Sequence, residues 1–398
     1  MIREKGAYIP HELLEELRRA NSCLTIGLPK ERDPEECRLS LTPEAVAMLV
    51  DAGHRVLVET NAGLGINYGN THFSEAGAEI VDTQEEVYQA DYVFKILPPS
   101  PSEVALMKSG STIFSMVQLN LFDPAAFEGL MLKRMNAFSY ELMTDESGRS
   151  PILNIMSEIE GATSIMVASE MMSNVRGGKG ILLGGIPGVP PTEVIIIGAG
   201  NAGTVAARAA LSLGAIVKVF DDDVNKLRQI QQVLGRNIYT SNFHPNVLRN
   251  AFASADVVIG AMRYINSRRR YVISEDLIKL MKRGSLVIDL RINQGGCFET
   301  TCCLSPTEYN VFERCGVLHY CKPNISNYVA RTTSMAFSNI LTPMLFLLSD
   351  MGTIQTAVKA DDCFRSGIYM YRGKPVNNYV SNHFNLLSND LDIYISAF

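Results

Sequence analysis

The run Val194-Ile-Ile-Ile-Gly198-Ala-Gly200-Asn-Ala-Gly203, continued by Thr-Val-Ala-Ala-Arg-Ala-Ala-Leu, restricts the fold more than any other stretch of this chain. A β-branched strand that stops at a glycine and restarts as a small-residue helix leaves one arrangement: strand, tight turn, helix. Gly198 suits the turn, Gly200 a backbone approached closely by pyrophosphate, and Gly203 the packing of helix on strand. The phosphates would rest on the amide-rich start of the helix, beside Asn201 and Ala202. A second strand, Ile216–Phe220, ends at Asp221, 18 residues past Gly203. A carboxylate there accepts ribose hydroxyls and repels a 2′-phosphate, so the expected cofactor is NAD rather than NADP. Asp222 and Asp223 read as solvated neighbours.

The same alternation recurs along most of the chain. Leu24–Leu28, Arg55–Glu59, Tyr92–Leu97, Ser111–Val117 and Ala137–Ser139 read as short apolar strands between polar helical segments. One of these helices, Pro43–Ala52, has Thr42 at its N-cap. Past residue 150 an Ala/Met/Ser-rich helical run, Ser157 to about Asn174, leads into residues 176–191, whose six glycines and three prolines mark a loop. A second series follows: Val194–Ile197, Ile216–Phe220, Val257–Ile259 and Leu286–Leu290. Repeated strand–crossover–strand units form mostly parallel sheets covered on both faces. At 398 residues the chain exceeds one ordinary core. The predicted fold is therefore α/β: two doubly wound, Rossmann-like domains with the active site in the cleft between them. The expected divisions are 1–152, the N-terminal part of a substrate domain; 153–328, the nucleotide domain; and 329–398, C-terminal helices completing the first. Hinges are expected near 150–160 and 325–332. The first twenty residues read as a separate amphipathic helix carrying Leu13, Leu14 and Leu17.

Composition removes several functions. The 36 Lys+Arg and 42 Asp+Glu give a net charge of −6. That balance repels polyphosphate, so no nucleic-acid partner is expected, and Arg268-Arg269-Arg270 reads as a solvated loop. Five of the eight cysteines (Cys23, Cys37, Cys297, Cys302, Cys303, Cys315, Cys321 and Cys363) lie between 297 and 321, but without a CxxC pair and with His319 as the only histidine among them. No metal site is expected, and the thiols read as reduced ones in a cytoplasmic protein with no secretory segment. The least charged stretch, Thr332–Ser349, holds Ser, Thr and Asn in its first half and a proline at 343. It suits a buried helix better than a membrane span, so no membrane association is expected.

Four stretches resemble the alanine dehydrogenase family, which includes the NAD-binding subunit of proton-translocating nicotinamide nucleotide transhydrogenase. Gly27–Glu31 with Glu36–Pro43 is similar to the family's N-terminal signature, and Leu183–Pro191 to the loop before its nucleotide fold. Gln294–Thr300 and His319–Asn324 match two later stretches. The likeness runs from Leu24 to about Val380 and is closer to the dehydrogenase branch. It implies an NAD-dependent oxidoreductase converting L-alanine, NAD and water to pyruvate, ammonium and NADH. It also implies a small amino-acid or 2-oxo-acid substrate and a homo-oligomer, hexamer or dimer.

By this resemblance Arg38 is the substrate-site arginine, whose guanidinium fork suits a planar carboxylate. Lys95 matches the lysine near the substrate carbonyl. It is also conspicuous unaided, because a lysine inside Val93-Phe-Lys-Ile-Leu97 is costly without a partner; a strand-end lysine reaching solvent is the alternative. Ser157, Lys226, Met262 and Asn324 match nucleotide-contacting positions. Two catalytic positions depart: the family's histidine is Gln118 here and its aspartate is Asn293. Neither amide carries a proton near neutral pH, and losing such help costs about 10²–10⁴ in rate. Two other readings therefore stand beside alanine oxidation. One is an NAD-binding member without turnover; the other is transhydrogenase-like hydride exchange, which needs no proton relay and whose branch carries glutamine at the position of Gln118. Asp289, Glu299 and Asp123 are nearby acids that could substitute, and each reads equally well as a structural cap.

Overall fold

The computed structural model describes residues 22–262, 271–301 and 310–396. The expected N-terminal helix, the Arg268–Arg270 run, Cys302 and Cys303 lie outside them. The described residues divide into two units, one taking the chain up to Ile155 and from Val329 onward, the other Met156–Tyr328.

The first unit is built on six parallel strands: β1 (Thr25–Leu28), β2 (Arg55–Glu59), β3 (Glu79–Val81), β4 (Tyr92–Phe94), β5 (Thr112–Ser115) and β6 (Asn136–Ser139). Their spatial order is 6-5-4-1-2-3. Register places Phe94, Phe114 and Phe138 side by side on neighbouring strands. Their rings stack at 4.5 and 4.6 Å between centroids, an apolar ladder under the sheet.

The second unit repeats the plan with β7 (Glu193–Ile197), β8 (Ile216–Phe220), β9 (Tyr239–Ser241), β10 (Val257–Gly260), β11 (Leu286–Asp289), β12 (Val311–Arg314) and β13 (Val317–Tyr320). Its parallel strands run 13-11-10-7-8-9, with β12 antiparallel at the edge. Strands buried on both faces are apolar, as β10 is and as β7 is after its first residue, Glu193. Both sheets thus reverse direction of winding once, between β1 and β4 and between β7 and β10. Ligands of doubly wound sheets bind at the carboxyl ends of the strands flanking that reversal.

Two expectations need correction. The helix placed from Ser157 begins at Pro151 and runs to Met172, because proline is at home in a first helical turn, where no amide partner is lost. The C-terminal region is not helical alone. Ile368–Tyr371 forms β14 and Lys374–Pro375 forms β15, an antiparallel pair that extends the first sheet beyond β6. Its Pro375 sits on the outermost strand, the one place in a sheet where a missing amide is harmless.

The helix Ala330–Met351 explains its own polar first half. Ser334 Oγ accepts from Leu39 N at 2.9 Å and Ser338 Oγ from Thr42 N at 3.1 Å, so its hydroxyls satisfy the loop just after Arg38. Thr42 begins Pro43–Asp51 but makes no side-chain cap; its hydroxyl faces Ser338 at 3.3 Å instead. Among the described residues no single helix is long and apolar enough to cross a membrane.

Candidate active site

At the reversal of the second sheet, β7 ends and the chain turns at Gly198 with φ +108°, a conformation open to glycine and strained for other residues. A Cβ on Gly198 would stand 2.8 Å from that of Met262, the residue that follows β10 by two. One on Gly203 would collide with the Gly198 carbonyl. A Cβ on Gly200 would meet nothing within 4 Å. The motif is therefore tight where backbone packs on backbone and open where a ligand would approach. Helix Asn201–Ser212 starts there with no side-chain cap, leaving Asn201 exposed and Ala202 buried. These features fit a dinucleotide's pyrophosphate.

Asp221 is buried at the end of β8. One carboxylate oxygen accepts from Ala199 N at 2.7 Å, the other from Asp223 N at 2.9 Å. It ties the glycine turn to β8. Asp223 is not merely solvated: it caps helix Val224–Leu234 by accepting from Asn225 N at 2.8 Å. Asp222 is exposed; desolvation, then its hydrogen bond and repulsion with Asp221, raise its pKa, while Lys226 on the same helix opposes the shift.

Asn324 and Ser157, expected to contact a nucleotide, belong to this same unit. Asn324, with φ +52°, accepts from Asn293 Nδ2 at 3.3 Å, joining the segments after β11 and β13. Ser157 lies one helical turn before Gly161, which packs so closely on the Ala202 carbonyl that a Cβ would not fit. Arg291, two residues from Asn293, reaches Glu160 at 3.6 Å.

The reversal of the first sheet carries charge instead of bare backbone. Glu31, three residues past β1, accepts from Ile96 N at 2.6 Å and from Lys95 Nζ at 3.0 Å. Lys95 directly follows β4 and is 2% exposed, so the solvent-reaching alternative fails. Its second partner is Glu103, at 2.7 Å. Glu103 is fixed by a capping box with Ser100 and accepts from the Tyr88 hydroxyl at 2.7 Å. Arg38 is buried and paired with Glu36, Nε to Oε1 at 2.7 Å and Nη2 to the other oxygen.

Burial lowers the Lys95 pKa, but the two facing carboxylates outweigh it and the net shift is upward. Burial likewise opposes ionisation of Glu103, yet Lys95 and the surrounding donors pull its pKa below the usual range. For Glu31 burial wins and the pKa rises.

The backbone carries this edge on to β5 and β6. Met116 N donates to Ile96 O at 2.9 Å, and Tyr140 N to Ser115 O at 3.1 Å. Gln118 stands here with φ +33°, and its amide and that of Val117 both donate to Glu141 Oε2, at 3.0 and 2.8 Å. Strained backbone of this kind persists where surroundings over-determine it. Burial raises the Glu141 pKa against those two amides and Ser139.

The acids named as substitutes for the missing proton carriers are structural. Asp123 caps helix Pro124–Leu132, Glu299 accepts from Glu275 N, and Asp289 holds Arg291 N, Cys297 N and the Thr301 hydroxyl. His319 is a core residue between Thr300 and Val317 O, and burial takes its pKa down to about 4. Among the described residues no cluster of metal-ligating side chains and no disulfide occurs. Sequence reasoning missed Glu31, Glu36, Glu103 and Glu141. Glu36 and Glu103 had local signals: a carboxylate two residues before Arg38, and the Ser-x-x-Glu box at Ser100–Glu103.

Comparison with known proteins matches the family description "Alanine dehydrogenase/PNT, N-terminal domain" to residues 27–160 and "Alanine dehydrogenase/PNT, C-terminal domain" to residues 164–378. Alanine dehydrogenase 2 of Staphylococcus aureus is 36% identical over 363 residues, covering 91% of this chain and 97% of the relative. A solved L-alanine dehydrogenase superposes with TM-score 0.84 at 32% identity, covering 91% of this chain and 99% of that one. The transhydrogenase from Sinorhizobium meliloti shares the fold, with TM-score 0.74 at 22% identity over 89% and 99%.

Proposed function

Given that the chain belongs to the alanine dehydrogenase/PNT family, we propose that it is an NAD-dependent dehydrogenase of L-alanine or a similarly small amino acid, working as a cytoplasmic homo-oligomer. The observation that carries the reading is the pair of buried cations, Arg38 and Lys95, at one sheet reversal of a chain whose other reversal is shaped for a dinucleotide. NAD, when bound, supplies the hydride acceptor. Gly198, Gly200, Asn201, Ala202 and Gly203 would hold its pyrophosphate and Asp221 its adenosine ribose, with Ser157, Lys226, Met262 and Asn324 around it.

Arg38, its guanidinium oriented by Glu36, would be the cation for the substrate carboxylate. Lys95 has three N–H donors and uses two on Glu31 and Glu103, which leaves one for the oxygen that becomes the product carbonyl. A positioned cation at such an oxygen stabilises the charge that builds there. Gln118 and Asn293 would orient substrate and water by hydrogen bonding without exchanging protons near neutral pH.

Purified protein given L-alanine and NAD at alkaline pH should form NADH, followed by its absorbance. The two amides also support a second reading, an NAD-binding family member without turnover. NAD binding by calorimetry with no NADH formed would favour it.

A further inference from the structure

Five ionisable side chains stand at the first reversal with none more than 9% exposed: Lys95 in contact with Glu31 and Glu103, and the Glu36–Arg38 pair, whose Glu36 acts electrostatically on Glu31. Three are acids and two are bases, so full ionisation would leave one uncompensated negative charge out of water. Buried charge in that position favours protonation of one carboxyl. The donors decide which one. Glu36 faces the Arg38 guanidinium on both oxygens. Glu103 accepts from Lys95, the Tyr88 hydroxyl, and the amide and hydroxyl of Ser100. Glu31 has only the Ile96 amide and the longer contact to Lys95.

We infer that Glu31 holds the proton this site exchanges with its substrate, so that a 2-oxo acid binds with Glu31 protonated and an amino acid with Glu31 ionised. The inference rests on the reading of Arg38 and Lys95 as the substrate site. Charge balance gives it content. A zwitterionic amino acid beside ionised Glu31 and a 2-oxo acid anion beside protonated Glu31 put the same total charge into the cluster. The directions of the Glu31 and Glu103 shifts agree with this assignment. Around Glu31 stand Lys95 after β4, Glu36 in its own loop, and the phenols of Tyr88 and Tyr140, whose pKa values burial raises. Neighbouring Arg32 is turned to Glu59.

In the oxidative direction an N–H bond of the substrate ammonium breaks and an O–H bond forms on Glu31. Lys95 passes the proton across its 3.0 Å contact and regains its own. With NAD bound as the hydride acceptor, the Cα–H bond would break with its electron pair and the substrate would gain a C=N bond. Water adds to that carbon, ammonium leaves with the protons of water, and Glu31 returns its proton to solvent.

The test uses the full chain and Glu31→Gln, which keeps a side-chain carbonyl for the Ile96 amide. Infrared difference spectra across pH should show the carbonyl stretch of a protonated carboxylic acid, sensitive to heavy water and absent from Glu31→Gln. Glu103→Gln, which removes one acid from the count, should move its titration to lower pH. Calorimetry of pyruvate binding to the NADH complex, in buffers of different ionisation enthalpy, should show uptake approaching one proton per site where that band has titrated away. Pyruvate affinity should fall about tenfold per pH unit there, and both effects should vanish in Glu31→Gln. L-alanine binding to the NAD complex should take up none. No acid band, a band removed by Glu141→Gln instead, an unmoved titration in Glu103→Gln, or pyruvate binding without uptake each overturns the assignment. Band and uptake present with no NADH formed from alanine would remove the dehydrogenase reading alone.

Discussion

Between β7 and β10 the chain has removed side chains: glycine at 198, 200 and 203, and open space where a Cβ on Gly200 would point. Between β1 and β4 the same strand order ends in Glu31 and Lys95, with Glu103 paired to Lys95 and a buried Glu36–Arg38 pair in the loop after Glu31. One reversal is a neutral cradle whose ligand brings its own charge to backbone amides. The other is a charged cluster whose balance any ligand must complete. The strand order fixes where a ligand goes, and the side chains decide whether it arrives as a guest or as a counter-ion.

The widest change expected follows from giving both edges a proton carrier. Gln118→His with Asn293→Asp should raise alanine turnover by about 10²–10⁴, measured as initial NADH formation. An unchanged rate would mean that the amides are not what limits the charged edge. Lys95→Met tests that edge from the other side. It leaves Glu31 and Glu103 facing each other without a cation, so stability at neutral pH should fall by about 3–5 kcal/mol in urea melts. The turnover number should drop on the order of 10²–10³.

In the neutral cradle, Gly203→Val should weaken NAD binding by about 1–3 kcal/mol of overpacking, read by calorimetry, while leaving the infrared signature of the first unit untouched. pH separates the two carboxyls around Lys95. The Glu103 pKa is depressed in the folded state, so its stabilisation is present above the unfolded value and disappears as pH falls through the folded one. Glu103→Gln should therefore cost about 1.5–3 kcal/mol near neutrality, with the gap closing in acid. The Glu31 pKa is raised, so folding loses stability as pH rises through the folded value, and Glu31→Gln should gain on wild type in that window. Melting temperatures across pH that moved in parallel for the two variants would dissolve the distinction. The smallest effect belongs to Asp223→Ala, about 1 kcal/mol for a lost N-cap, with NAD affinity retained.

Legibility in sequence followed the same divide. The glycine turn is local chemistry, written in consecutive residues, and its strand, helix and terminal acid could be read directly. Lys95 could be suspected because a lysine in an apolar strand requires a partner, but Glu31 lies 64 positions away. Only the lateral order of β1 and β4 brings them together. Glu141 was hidden for the same reason: it reaches the Gln118 amide from the end of a neighbouring strand. Ile368–Tyr371 escaped because four residues between helices carry too short a period to declare a strand, and its pairing partner Phe138 is far away in sequence.

The first sheet is finished by residues that come last. Helix Ala330–Met351 satisfies the amides of Leu39 and Thr42, and β14 joins β6 only after the whole of Met156–Tyr328 has been made. On the ribosome, then, the nucleotide-shaped unit emerges contiguous and can close on itself while the charged unit waits, its edge strand unpaired. A chain cut short before about residue 370 would lack the strand that pairs with β6, while every residue of the nucleotide-shaped unit would already be present.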